Sequence, residues 1–157
     1  MSAGSRVDGA TPPSLVRVRY ADTDQMGVTY HANYLVWFEV GRTDWLRHRG
    51  WTYRDMEADG FRLPVIEASC RYLTPSRYDD ELEVHTRATL VTPVRVRFDY
   101  EVRLAGGGSV AATGYTEHAV LDAAGKPCRV PDRVGRAMTP APRRSSPRAR
   151  SQRLQYR

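Results

Sequence analysis

Cysteine is scarce: Cys70 and Cys128 are the only two among 157 residues. They are too few and too far apart for a disulfide scaffold or a cysteine-based zinc site. Both read as reduced thiols of a cytoplasmic protein. No run approaches the roughly 18 continuous apolar residues of a membrane span, so no spanning segment is expected. The start, Met-Ser-Ala-Gly-Ser-Arg, lacks the apolar core of a secretory leader. There is no internal repeat, which argues against solenoid and propeller arrays. Acidic residues are missing from one stretch: residues 139–157 hold six arginines and no Asp or Glu. The formal net charge is +6, so residues 1–138 balance 18 basic against 18 acidic side chains.

The basic character therefore belongs to the tail and not to the domain. Rich in Pro and Ser, residues 139–157 are expected to be disordered. A solvated extension is the simpler reading, and contact with an anionic partner the functional one. Arginine content alone does not make a nucleic-acid module, and no such partner is expected for the domain.

What remains suits one domain with a substantial core: a flexible leader over residues 1–13, ending at Pro12-Pro13, and a folded domain over 14–138. Residues 15–20 alternate apolar and charged side chains, as a half-buried strand does. Tyr34, Trp37, Phe38, Gly41, Trp45 and His48 then recur at helical spacing, which predicts a helix over residues 30–49, roughly 30 Å long. Leu35, Val36, Val40 and Leu46 lie off the Trp37/Phe38/Trp45 face, so other structure should wrap this helix on more than one side. A short helix over 53–59 ends at Gly60. Strands follow over 63–73, 82–90, 94–104 and 109–121, the last pair joined by Gly106-Gly-Gly108. Their period-two alternation implies an antiparallel sheet with one face covered. The fold class is α+β, with about five strands curled around one long central helix.

Residues 20–34 read Tyr-Ala-Asp-Thr-Asp-Gln-Met-Gly-Val-Thr-Tyr-His-Ala-Asn-Tyr. This stretch places two carboxylates, a glycine and a histidine between a strand and the start of a helix. A helix start offers free N–H donors and partial positive charge. A carboxylate beside such donors is equipped to attack a carbonyl and stabilise the resulting oxyanion.

That run, followed by Trp37-Phe-Glu39 and Arg42, resembles hotdog-fold acyl-CoA thioesterases of the 4-hydroxybenzoyl-CoA thioesterase type. Leu63-Pro64 and Thr74-Pro-Ser-Arg-Tyr-Asp-Asp80 extend the resemblance, which covers residues 16–134. It implies a hotdog fold and hydrolysis of an acyl-CoA thioester without cofactor or metal. It also implies a dimer or tetramer with sites at subunit interfaces. Asp24 matches the catalytic carboxylate, as nucleophile or general base. His31 matches the helix-start residue whose backbone N–H polarises the thioester carbonyl, and its imidazole is a candidate base. Tyr20 matches an aromatic position lining the site. Gly27 permits close approach of backbone and substrate. Tyr30 is placed at the substrate, and its ring reads as a packing residue rather than a catalyst. Coenzyme A carries phosphates, for which Arg77, Arg95 and Arg97 are the candidate partners.

Other residues have plainer readings. Asp22 is expected to cap or brace a turn, and Glu39 and Arg42 to form an ion pair on one helix face. Glu67 faces the substrate or makes an intersubunit salt bridge, the structural option being the favoured one. Asp22, Asp24 and His31 lack the further ligand a metal site needs. Three other functions share parts of this pattern: a hotdog enoyl-CoA hydratase, a non-catalytic acyl-CoA-binding protein, and an interaction protein led by the tail.

Overall fold

The computed structural model describes residues 11–138; most of the expected leader and all of the arginine-rich tail lie outside the described residues. In chain order the elements are β1 (Ser14–Arg17), a 3-10 turn (Tyr20–Asp22), α1 (Asn33–His48), α2 (Tyr53–Ala58), β2 (Phe61–Arg62), β3 (Val65–Tyr72), β4 (Glu81–Thr92), β5 (Arg95–Leu104), β6 (Val110–Ala119), β7 (Leu121–Asp122) and α3 (Asp132–Ala137). Five strands form an antiparallel sheet in the order β1-β4-β5-β6-β3, and β2 and β7 pair separately. Helix α1 packs across this sheet, touching β1, β3, β4 and β5. This is the expected α+β hotdog arrangement. No helix among the described residues is long and apolar enough to cross a membrane.

Alternation decides which side of the sheet meets the helix. Along β5, Val96, Phe98, Tyr100 and Val102 are buried, while the charged residues between them face outward. Phe38 of α1 stacks on Tyr100 with ring centroids 4.3 Å apart, and Trp45 meets Phe98 edge-on at 5.9 Å. Burying one such aromatic ring contributes about 1.5–3 kcal/mol. Two glycines allow this approach. A Cβ on Gly41 would lie 2.6 Å from Thr86 Oγ1 and 2.8 Å from Val84 Cγ1. A Cβ on Gly114 would meet the Ser69 carbonyl and lie 2.6 Å from the Phe38 ring.

A polar chain runs through this core, and its proton directions can be assigned. His118 is fully buried, and its Nδ1 lies 2.9 Å from the Leu63 carbonyl oxygen. A carbonyl only accepts, so Nδ1 carries the proton. Burial pushes the imidazole down to about 4, against the smaller upward pull of the Leu63 bond, so the ring is neutral and Nε2 is an acceptor. Thr116 therefore donates to Nε2 at 2.8 Å, and Tyr100 donates to Thr116 at 2.6 Å. Arg42 stands beside the Tyr100 hydroxyl and donates through Nε to Tyr53 at 3.1 Å.

Several elements depart from the sequence reading. The first strand stops at Arg17 because Asp22 folds the chain back, accepting from the Arg19 backbone N–H at 2.9 Å and from its guanidinium. Helix α1 starts at Asn33, not at residue 30. The Thr29 N–H bonds the Ser76 carbonyl and the Tyr30 N–H bonds the Asp22 carbonyl, which holds those residues out of the helix. The strand expected over 63–73 begins only after Pro64, as β3, with a register shift between Val65 and Glu67, and the short β2 that precedes it at Phe61–Arg62 lies outside the expected range. The end of the strand expected over 109–121 crosses to β2 as β7. Helix α3 was not expected. Among the described residues only one side of α1 is covered: Leu46 is buried, whereas Leu35, Val36 and Val40 are 41%, 55% and 36% exposed. Arg42 turns toward Tyr53 and Tyr100, and no Glu39–Arg42 ion pair forms.

Candidate functional site

The loop between β1 and α1 is a tight hairpin. Thr23 and Thr29 bridge its arms, the Asp24 N–H bonds the Val28 carbonyl at 2.9 Å, and the Gly27 N–H bonds the Asp24 carbonyl at 3.0 Å. Gly27 sits at φ +77°, a backbone state that side chains disfavour. The Met26 N–H reaches Asp24 Oδ1 at 2.8 Å, which fixes the carboxylate's orientation. Among the described residues nothing donates to Oδ2. Asp24 is half-buried, whereas Asp22 is buried and accepts from Arg19. The Arg19 hydrogen bond holds the Asp22 carboxyl below its ordinary value, against burial. One aspartate of the pair is committed to the turn and the other faces out.

The start of α1 stands directly after this hairpin. Asn33 Nδ2 donates to the Asp22 carbonyl at 2.8 Å, tying the helix to the loop. The Tyr34 hydroxyl, Ser76 and Thr29 form a buried cluster at 2.8 and 2.6 Å. The His31 carbonyl accepts from the Tyr34 N–H at 3.3 Å and from the Tyr72 hydroxyl at 2.9 Å. His31 itself is exposed, with Tyr30 at 4.5 Å and Tyr72 at 6.2 Å between ring centroids. The N–H groups of His31 and Ala32 have no acceptor among the described residues. Two open donors at the positive end of a 16-residue helix suit a developing negative charge.

Asp24, Gly27, Tyr30 and His31 thus lie along one hairpin and the approach to the helix that follows it. Arg77 joins them, its Nη1 3.5 Å from the Gly27 carbonyl. Tyr20 is 80% exposed at the loop's entrance and meets Tyr78 edge-on at 5.7 Å. Arg95 and Arg97 stand elsewhere. Tyr72, which reaches His31, aligns through Ala112 with Val102, and Arg97 lies five residues from Val102 along β5. At the usual strand rise that is about 17 Å. Both arginines project from the sheet's outer face and pair with Glu117 at 3.9 and 3.7 Å, and Arg97 also with Asp99 and the Tyr115 ring. Glu67 accepts from Tyr115 on that face. Among the described residues no three His, Cys, Asp or Glu side chains cluster as a metal site would require. A cleft of about 400 Å³ between α2, β2 and β7 is lined by Tyr53, Met56, Phe61 and Leu63 among others, and by no residue of the loop.

Sequence reasoning did not single out Tyr72 or Ser76. Tyr72 closes β3 just before the Thr74-Pro-Ser-Arg turn, and only the fold shows that this turn returns to the helix start.

Residues 18–138 match the family described as the thioesterase-like superfamily. The chain is 41% identical over 108 residues to the Bacillus subtilis protein named "Putative acyl-CoA thioesterase YneP", covering 68% of this chain and 77% of that one. It is 40% identical over 74 residues to the acyl-CoA thioester hydrolase YbgC of Escherichia coli, covering 47% and 55%. The structure of Slr0204, a 1,4-dihydroxy-2-naphthoyl-CoA thioesterase from Synechocystis, superposes with a TM-score of 0.75 at 25% identity, covering 81% of this chain and 94% of that one.

Proposed function

Because this chain belongs to the thioesterase-like superfamily, we propose that it hydrolyses an acyl-CoA thioester to a free carboxylic acid and coenzyme A. Within that superfamily its motif favours the 4-hydroxybenzoyl-CoA thioesterase type, working in the cytoplasm. One observation carries the reading: a carboxylate held by its own turn, at Asp24, lies on the hairpin that leads into a helix start where two N–H donors find no acceptor among the described residues.

The roles follow from that arrangement. Asp24 takes a proton from water, and the resulting hydroxide adds to the thioester carbonyl. The new oxyanion rests on the N–H groups at His31 and Ala32. Its collapse breaks the C–S bond and expels the thiolate, which takes up a proton. A direct attack by Asp24 gives a mixed anhydride that water then opens, with the same products. The His31 imidazole assists the proton transfer. Tyr20, Tyr30 and Gly27 border the substrate, and Arg77 is the arginine best placed for a coenzyme A phosphate. Arg95 and Arg97 could take that role only toward a substrate held by another subunit.

The proposed molecule is a homodimer or a dimer of dimers. Strands β1 and β3 leave two sheet edges open, which pairing across subunits covers. Leu35, Val36 and Val40 form an apolar face on α1 that no described residue covers, so the second copy would supply the wrapping there. A monomer at micromolar concentration by light scattering would count against this assembly.

The activity is tested with pure protein, a panel of aliphatic and aromatic acyl-CoAs, and a disulfide dye that reports free thiol. Thiol release from at least one of them is expected. Binding without release would make the chain an acyl-CoA-binding protein, and hydration of an enoyl-CoA without release would make it a hydratase.

A further inference from the structure

We propose that Tyr72 is a positioning residue for the reaction: its hydroxyl holds the His31 carbonyl so that the N–H of the same peptide group, on Ala32, faces outward as an oxyanion donor. The inference rests on the thioesterase reading for its catalytic consequence and on the structure alone for its geometry.

The phenol has one proton and a carbonyl only accepts, so Tyr72 donates to the His31 oxygen across 2.9 Å. The Tyr34 N–H donates to the same oxygen at 3.3 Å. Two donors from one side fix where that oxygen points. The peptide group is planar and trans, so the Ala32 N–H points the opposite way. No residue among those described accepts from it. The donor that completes this geometry comes from the sheet, from the last residue of β3, and not from the helix. Its ring is wedged edge-on against Tyr34 at 5.4 Å and His31 at 6.2 Å, so the hydroxyl is delivered by a packed side chain. Cys70, two residues back on the same face of β3, comes within hydrogen-bonding reach of the same phenol.

The arrangement does more than aim. A hydrogen bond to an amide oxygen polarises the amide and strengthens its own N–H as a donor, by roughly 10–30% per bond. Tyr72, the His31 carbonyl, the Ala32 N–H and the oxyanion would form one aligned chain, tightened when negative charge develops on the substrate. The gain therefore appears in the transition state and not in substrate binding.

Tyr72→Phe tests this, because it keeps the ring and removes only the hydroxyl. Complete loss of an oxyanion donor lowers kcat by about 10²–10³-fold. Here the donor stays but loses aim and polarisation, so kcat should fall about 10-fold with KM within about twofold. The Ala32 amide proton should move upfield in the NMR spectrum of the free protein. Tyr34→Phe is the comparison: it removes a buried hydroxyl bond to Ser76 and leaves the His31 carbonyl with both donors. It should lower the thermal midpoint without a matching loss of kcat. A kcat for Tyr72→Phe within about twofold of wild type, a loss equalled by Tyr34→Phe, or an unmoved Ala32 amide would each overturn the proposal. If wild type releases thiol from no acyl-CoA, it is the thioesterase reading that fails, and the Ala32 amide still decides whether Tyr72 sets that peptide.

Discussion

Lowering the pH from 7 to 4 should drain stability from this fold through His118. The ring is fully buried, with its Nδ1–H given to Leu63 and its Nε2 accepting from Thr116. A second proton would put a charge in a dry site and two hydrogens between Nε2 and Thr116. Burial, helped by the nearby Arg42 cation and opposed by the Leu63 carbonyl, pushes the ring from 6.5 to about 4. The folded value is the lower one, so between these pH values the unfolded chain holds a proton that the folded chain refuses. Stability is then complete above about 6.5 and is lost as pH falls toward 4, at about 1.4 kcal/mol per pH unit. The whole window amounts to about 3 kcal/mol, a large share of the roughly 5–15 kcal/mol of a typical domain. Asp22, held below 3.8, gives up its contribution only as pH falls below that value, outside the window. Urea unfolding at stepped pH, followed by fluorescence of the buried Trp37, Trp45 and Trp51, measures the slope. His118→Gln can still donate to Leu63 and accept from Thr116, but it does not titrate. Its curve should be flatter by about one proton between pH 6.5 and 4.5. Equal slopes for wild type and variant would refute this account of His118.

Other substitutions probe the site and the packing. His31→Ala should lower the hydrolysis rate about 10²-fold or more if the imidazole carries a proton; a loss under about fivefold in stopped-time thiol assays would leave only its backbone N–H in play. Gly114→Ala should cost about 1–3 kcal/mol by overpacking, because the added methyl meets Phe38 and the Ser69 carbonyl; an unchanged urea midpoint would contradict the packing described. Asp22→Asn should weaken the loop and lower the thermal midpoint while leaving measurable turnover, since its carboxylate serves Arg19; complete inactivity of a folded variant would assign it a direct role.

Much of this architecture was legible in the chain because the strands alternate so regularly. The run from Val94 to Leu104 could only be a one-sided strand, and β5 is that strand. The helix was legible from Trp37, Phe38 and Trp45, but not its start. Residues 30–32 continue the helical pattern in sequence, yet the Thr29 and Tyr30 N–H groups are taken by the Ser76 and Asp22 carbonyls, partners that only the fold brings near. The same holds for Arg42, whose sequence neighbour Glu39 was the obvious partner until α2 and β5 offered Tyr53 and Tyr100. Arg95 and Arg97 show the opposite limit. Their charge suggested phosphate, but strand alternation already placed them on the outer face, away from the polar loop. Tyr72 was invisible because its role depends on which strand ends beside the helix start.

Asp24→Asn tests the central claim most directly, because it keeps the shape of the side chain and the Met26 N–H bond to Oδ1 while removing the charge. With an acyl-CoA that wild type hydrolyses, thiol release should fall by about 10²–10⁴-fold, the scale of general base catalysis, and the affinity for that acyl-CoA should stay within a few-fold. Turnover within about tenfold of wild type in a folded Asp24→Asn protein would contradict the account and remove Asp24 from the mechanism.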